Sequence, residues 1–381
     1  MKTTNGFCLI PWFGIFIDSK TIGPCCVNHQ LSKNINIDNY LKSSELNNLK
    51  KDFLNGEKPS SCNSCWEAEA VGIKSVRQEK AKVLLKETKN LLKNYCHFSI
   101  RISNKCNYKC RMCGPRYSSA WELDLKASSL RIDTVYSKAE SFDLDSYKKN
   151  IQYIITVAQR QLTYINILGG EPLISDEFLY FLEKTKENNV RQNIILNINT
   201  NLSVTNYKDI DYKKEFSTFK SVILHASLDG LENIGEYIRR GFKQSIFDKN
   251  LQYFKEYIRD INVTLQIYNI YNIPNIYSYA DYNKLNVTLN YLIIPRYLSI
   301  SLLDEYERNN ILKFYKNNYF YNKDIESSLY SEKINLKDIS KFINYTNGLD
   351  SLWKTDLKKS IPELKNWYER IIDEKYSMVK R

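Results

Sequence analysis

The stretch His97-Phe-Ser-Ile-Arg-Ile-Ser-Asn-Lys-Cys106-Asn-Tyr-Lys-Cys110-Arg-Met-Cys113 runs an alternating apolar strand straight into a loop bearing three thiols. Working outward, further strand-like runs occupy 163–168, 193–199, 222–228, 261–270 and 287–294. Helical patterns separate them, as in Phe247, Leu251, Phe254 and Ile258. With the first strand near 98–103, this makes six strand–helix units, and such alternation implies an α/β fold of parallel strands joined by right-handed crossovers. Functional groups in such folds gather at the C-terminal ends of the strands, where the three thiols sit. Periodicity by itself leaves an open doubly wound sheet and a full or partial barrel both standing.

The chain has 381 residues, 43% of them hydrophobic, enough for a substantial core and something smaller beside it. Its formal charge of +12 comes from scattered basic residues on the polar faces of helical segments. That pattern reads as a solvated lysine-rich surface ahead of a nucleic-acid interface. No run reaches about eighteen apolar residues, and Met1 to Phe7 lacks a charged-then-apolar leader, so the expectation is a soluble cytoplasmic protein with no membrane partner. Four regions are expected: 1–75 rich in cysteine, a linker helix over 76–96, a catalytic core over 97–303, and a helical extension over 304–381. In the first, Leu41, Leu46, Leu49 and Phe53 predict a helix near 39–55 that stops at Gly56 and Pro59, after a strand from Phe13 to Ile17. Ala81, Leu84, Leu85, Thr88, Leu91 and Leu92 mark the linker's apolar face. The extension closes with a segment started by Ser360 and Pro362.

Nine cysteines are many for a reducing compartment, where close spacing points to metal or catalysis more than to disulfides. Cys96 stands alone and reads as a small buried hydrophobe. Closed structural sites use four protein ligands, whereas three thiolates on a four-iron cluster leave one iron open to an outside ligand. The triplet Cys106-x3-Cys110-x2-Cys113 resembles the signature of the radical S-adenosylmethionine superfamily. The resemblance implies a partial (β/α)6 barrel and a [4Fe–4S] cluster on Cys106, Cys110 and Cys113. It implies, too, reductive cleavage of S-adenosylmethionine to a 5′-deoxyadenosyl radical, with Met112 beside the adenine.

Three further signatures follow in order. Tyr164 to Leu168 leads into Gly169-Gly170-Glu171-Pro172, where paired glycines permit close backbone approach and the acid can accept from an ammonium. This is similar to the superfamily's second motif, which holds the cofactor's amino group. Asn199 and Asn201, at the end of the next strand, either meet a ribose or cap a helix. Ser227-Leu-Asp229-Gly followed by Arg239 and Arg240 resembles the Ser-x-Asp-Gly…Arg pattern of the branch with auxiliary clusters. There Ser227, Asp229 and Arg239 are the implied cofactor-binding residues, a guanidinium fork matching a carboxylate. The spacing leaves Arg239 against Arg240 open.

Cys8, the adjacent pair Cys25 and Cys26, and Cys62-x2-Cys65 offer a second four-thiolate set. With Cys25 taken as the ligand, the set looks like a shortened auxiliary-cluster (twitch) module holding another [4Fe–4S] cluster, although it precedes the core where such modules usually follow it. A zinc ribbon and Cys26 as ligand both stay open. The implied function is hydrogen abstraction from a substrate, with a peptide or protein first and carbohydrate or nucleoside dehydrogenation, RNA modification or non-catalytic zinc binding as alternatives. The implied partners are S-adenosylmethionine and a one-electron reductant such as flavodoxin or ferredoxin.

Overall fold

A computed structural model describes residues 6–18, 20–28, 31–33, 36–70, 74–81, 96–127, 143–292, 294–330 and 336–379. The expected linker helix therefore lies largely outside the described residues, at 82–95. Twelve strands appear among those described: β1 Gly14–Ile17, β2 Ile22–Gly23, β3 His97–Arg101, β4 Lys109–Cys110, β5 Thr163–Leu168, β6 Ile194–Thr200, β7 Asn206–Tyr207, β8 Ile210–Asp211, β9 Ser221–Ser227, β10 Arg239–Arg240, β11 Ile258–Leu265 and β12 Asn286–Tyr291. Eight form a mostly parallel sheet in the order β12-β11-β9-β6-β5-β3-β1-β2, with helices around it, so the fold is α/β. The pairs β4/β10 and β7/β8 stand apart as short antiparallel ladders.

The chain clusters into two compact units, and each is described by itself. The first comprises 1–103, 140–199 and 205–223. In it β3, β5 and β6 pair parallel, with Ser99 opposite Asn166 and Asn166 opposite Asn197. Alternation sends Phe98, Ile100, Ile165, Ile167, Leu196 and Ile198 into the core, each burial contributing about 1.5–3 kcal/mol. The other face is half-buried and mixed, carrying Leu168 and Ile195 beside polar residues, and on it Asn166 Nδ2 donates to Ser99 Oγ at 3.0 Å. Helix Leu144–Ala158 starts at Asp143, whose side chain accepts from the Ser146 N–H, and buries Ile151, Ile154 and Ile155.

Two sequence expectations change in this unit. The strand expected from Phe13 begins one residue later, because Pro11 opens a short helix, Ile10–Phe13, ahead of it. That wholly buried strand, β1, then pairs parallel with β3 from Gly14↔His97 to Ile17↔Ile100, so the N-terminal region contributes a strand to the sheet. The helix expected near 39–55 is two, Ile37–Leu41 and Ser44–Leu54. Ser43 is extended (φ −68°, ψ 150°), and its hydroxyl caps the second helix by accepting from the Leu46 N–H at 3.3 Å.

The second unit comprises 104–139, 200–204 and 224–381. In it β9, β11 and β12 pair parallel, with Ser227 opposite Asn262. The strand expected over 261–270 stops at Leu265, since Gln266 and Asn269 form a reciprocal capping box that starts the 3-10 turn Ile267–Asn272. The C-terminal region is helical, with Glu305–Asn317, Lys323–Leu329, Leu336–Trp353 and Lys365–Val379. Phe342 packs on Tyr268 and Trp367, and Trp121 on Trp353, at ring separations of 5.6, 5.4 and 5.1 Å. No helix among the described residues is long and apolar enough to cross a membrane.

Candidate functional site

The three-thiol loop belongs to the second unit, and hydrogen bonds to its backbone set its shape. The Cys106 N–H donates to Ser119 Oγ at 3.3 Å, and the Tyr108 N–H points at Cys106 Sγ at 3.5 Å. Cys113 N–H closes a turn on Cys110 O at 2.9 Å, while Trp121 Nε1 donates to the same carbonyl at 3.2 Å. Cys110 and Met112 are buried, and Cys106 and Cys113 are half-buried. The hydrogen bond shared with Cys113, and burial after it, hold the Cys110 thiol well above the ordinary range, and Arg239 pulls the other way.

Strand β4, which carries Cys110, pairs antiparallel with β10, so Arg239 lies opposite Cys110 and Arg240 opposite Lys109. This close approach needs Gly241, whose φ is +102° and where a Cβ would sit 3.1 Å from the Tyr108 ring and 3.3 Å from Asn107 O. The pairing separates the two arginines. Arg239 Nε donates to Asp229 Oδ2 at 2.7 Å, and its Nη1 lies 3.9 Å from Cys110 Sγ. Arg240 turns away, its Nη1 donating to the Trp353 carbonyl at 3.0 Å. Asp229 is fully buried and also accepts the Thr264 N–H at 2.6 Å on Oδ1. Burial raises the Asp229 carboxyl, with Arg239 opposing that rise. Burial likewise works against the Arg239 charge, yet Asp229 and Cys110 more than offset it and raise its pKa. Asp229 is thus the brace that aims Arg239 at the thiols. Ser227 ends β9 half-buried.

Asn201 Nδ2 donates to Asn107 Oδ1 at 3.0 Å, so within this unit Asn201 touches the cysteine loop. Asn199 belongs to the first unit, half-buried on the same face of β6 as Asn197. Also in the first unit, the Gly170 N–H donates to Ser103 O at 2.8 Å. A Cβ on Gly169 would come within 2.7 Å of that carbonyl, so the paired glycines serve a close backbone approach. Glu171 is buried, and one carboxylate oxygen accepts the Leu173 N–H at 3.1 Å, capping the turn Pro172–Ile174.

The N-terminal cysteines are gathered within the first unit. Cys8, Ile10, Leu49 and Phe53 form an apolar cluster on which Cys25, Cys62, Trp12 and Trp66 pack, and Cys65 is buried in helix Asn63–Ala70. Burial raises Cys8 to about 12, with Cys62 and Cys65 close enough to add to the rise. Burial also raises Cys25, to which Cys26, Cys8 and Cys62 add, and Cys62, to which Cys65 adds. The Ile10 N–H serves the Cys8 sulfur and the Val27 N–H that of Cys25. Asn28 Nδ2 lies 3.6 Å from Cys62 Sγ. Cys26 differs: it is the exposed one, and Lys80 and Arg101 oppose the rise of its thiol. Arg77 stacks 4.7 Å over Trp66, donates to Phe7 O at 2.8 Å and pairs with Glu69. Among the described residues, no three His, Cys, Asp or Glu side chains are spaced to hold a single metal ion.

Three sulfur donors on one loop beside a braced guanidinium fit an anionic cluster with one iron left for an outside ligand. Sequence reasoning named the thiols, Asp229 and Arg239. It missed Arg111, whose fully buried side chain reaches Asp350 at 2.6 Å and carries no motif signal.

Among curated proteins none matches the sequence. Solved structures similar to it include "Native anSMEcpe with bound AdoMet", at 19% identity over 67% of this chain and 60% of that one, TM-score 0.39. Streptococcus suis SuiB bound to S-adenosylmethionine is similar at 17% over 74% and 59%, TM-score 0.39. SuiB bound to precursor peptide SuiA is similar at 16% over 84% and 64%, TM-score 0.36. The chain spans about 60% of the length of the first two. The radical SAM superfamily profile matches residues 100–275, the segment that holds the three-thiol loop, the paired glycines and Arg239. Residues 100–275 of this chain are a radical SAM domain.

Proposed function

We propose that Cys106, Cys110 and Cys113 hold a [4Fe–4S] cluster whose open iron takes the amino and carboxylate groups of S-adenosylmethionine. When bound and reduced, that cluster would supply one electron to the cofactor's sulfonium, breaking its C5′–S bond to give methionine and a 5′-deoxyadenosyl radical that abstracts hydrogen from substrate. The chain's own residues bind and orient. Gly169 and Gly170 let the backbone approach the cofactor's amino end, with Glu171 as its acid. Asn199 meets the ribose and Met112 the adenine. Ser227 and Arg239 meet the carboxylate, Asp229 keeping the guanidinium fork in one orientation. The observation that carries this reading is Arg239, fixed by Asp229 and 3.9 Å from Cys110 Sγ within a loop of three thiols.

Cys8, Cys25, Cys62 and Cys65 form the second site of the proposal, an auxiliary [4Fe–4S] cluster in a module over 1–75. Four ligands close such a cluster, so it passes electrons without binding substrate. Flavodoxin or ferredoxin is the reductant class, and a peptide is the substrate class that the auxiliary-module resemblance implies. Anaerobic reconstitution of the wild type and Cys110→Ala, with dithionite and S-adenosylmethionine, tests the reading. The wild type is expected to release 5′-deoxyadenosine and the variant to stay at background. Equal release by both overturns it.

A further inference from the structure

The radical SAM profile ends at residue 275, yet the loop that carries Cys110 is fastened by residues far beyond it. Arg111 sits between Cys110 and Cys113 with its side chain fully buried. Its Nη2 donates to Asp350 Oδ1 at 2.6 Å and to Thr355 Oγ1 at 3.0 Å, and its Nε donates to Tyr237 O at 2.8 Å. The guanidinium lies 3.6 Å from the Tyr237 ring and 5.2 Å from that of Trp353, so its charge is held by rings as well as by the carboxylate. Its Nη1 is buried without a hydrogen-bond partner among the described residues. The backbone of the same residue is gripped on both sides. Its N–H donates to Ile238 O at 2.8 Å, and its carbonyl accepts Tyr345 Oη at 2.6 Å. One residue before Cys110, Lys109 Nζ pairs with Asp124 at 2.7 Å, and Trp353 Nε1 donates to the other oxygen of that carboxylate at 2.7 Å. Tyr345, Asp350 and Trp353 all belong to helix Leu336–Trp353.

A buried charge costs several kcal/mol to desolvate, so it persists only where its partners over-determine its place. Arg111 is fully buried and Asp350 only 13% exposed, and Arg111 spends its hydrogen bonds on Asp350, Thr355 and the Tyr237 carbonyl. We infer that Arg111 is a positioning residue and that helix Leu336–Trp353 is a working part of the cluster site. The C-terminal extension holds the Cys110–Cys113 turn in its ligand-ready shape before any metal arrives. The inference rests on the reading of Cys106, Cys110 and Cys113 as cluster ligands, and its primary test does not depend on it.

That test is the alkylation rate of individual thiols in the metal-free full-length chain, followed by mass spectrometry with iodoacetamide. Tyr345→Phe removes one hydroxyl and Asp350→Asn one charge, and Thr355→Val provides a third, near-isosteric cut should Asp350→Asn fail to fold. Each cut is expected to speed alkylation of Cys110 about tenfold, the value of one hydrogen bond to a charged or fixed group. Cys96, buried in the other unit, is the internal control and is expected to keep its wild-type rate. An unchanged Cys110 rate in the folded variants, or a Cys96 rate that rises alongside it, overturns the inference by showing no local hold or only general loosening. Chelator release of iron from reconstituted protein is the second readout, expected to be about tenfold faster in Tyr345→Phe. If the wild type takes up no iron on the loop, the functional reading fails and the alkylation result still decides the role of Arg111.

Discussion

The loop around Cys110 and the group around Cys8 both collect thiols, but buried charge pairs fasten the first while apolar packing assembles the second. In the loop, Arg239–Asp229 and Arg111–Asp350 set the geometry, and the short β4/β10 ladder places Arg239 opposite Cys110. In the N-terminal group, Phe53, Leu49 and Ile10 draw together Cys8, Cys25 and Cys62 from three separate segments. A charge pair in a dry site specifies one orientation and tolerates little change, whereas an apolar cluster accepts volume-conserving swaps. Under the proposed function, the difference suits an open cluster that must meet a cofactor at a defined angle, against a closed one that needs only to be held.

The largest expected effect breaks the comparison on the charged side. Asp229→Asn leaves Arg239 buried without its counter-ion, which should cost about 3–5 kcal/mol of stability, read by denaturant unfolding. A loss below about 1 kcal/mol would mean that the pair is solvated and does not fix the guanidinium. On the apolar side, Leu49→Ala should cost about 2–4 kcal/mol through lost burial and a residual cavity. It should speed alkylation of Cys8 but leave Cys110 at its wild-type rate, and equal acceleration of both would show that the two regions are not independently supported.

Much of this layout was legible in the sequence, for reasons that differ by element. Strands β3, β5, β6 and β9 announce themselves because each alternates over a buried face, and β5 falls at the expected 163–168. Strand β1 gave no sign of its partner, since a four-residue run buried throughout has no face to read. The overlong strand at 261–270 failed for a related reason: Ile267, Tyr268, Ile270 and Tyr271 are all buried, and a buried 3-10 turn has the composition of a buried strand. At the site, thiol spacing and the Ser227-x-Asp229-Gly pattern marked the residues proposed to hold the cluster and its cofactor. Strand pairing, absent from any motif, was needed to separate Arg239 from Arg240. Arg111 escaped altogether because its carboxylate partner lies 239 positions downstream.

The third prediction uses pH to probe the first unit alone. His97, stacked on Tyr164 with ring centroids 4.5 Å apart, is pushed by burial, and then by Lys80, from 6.5 down to about 4. The fold therefore favours its neutral form, and the stability this gives is complete above pH 6.5 and lost as the pH falls through 6.5 toward 4. The loss should amount to about 1–3 kcal/mol, after allowing for partial solvent access. His97→Phe keeps the stacking and removes this titration, so its unfolding free energy should fall less steeply than that of the wild type through that window. A variant with the wild-type slope would assign the acid sensitivity elsewhere.

The smallest structural effect carries the sharpest question about ligation. Cys26→Ser replaces an exposed side chain and should change stability by less than about 0.5 kcal/mol. Cys25→Ser removes a sulfur that packs on the Cys8 cluster and receives the Val27 N–H. If Cys25 is the ligand, anaerobic reconstitution should give about eight irons per chain in the wild type and in Cys26→Ser, and about four in Cys25→Ser, one cluster being lost whole. The reverse pattern would move the ligand to Cys26 and require the Ile22–Asn28 turn to rearrange on metal binding. About four irons in all three proteins, with one zinc each, would make the N-terminal group a zinc site and confine iron to the loop that Arg239 and Arg111 hold.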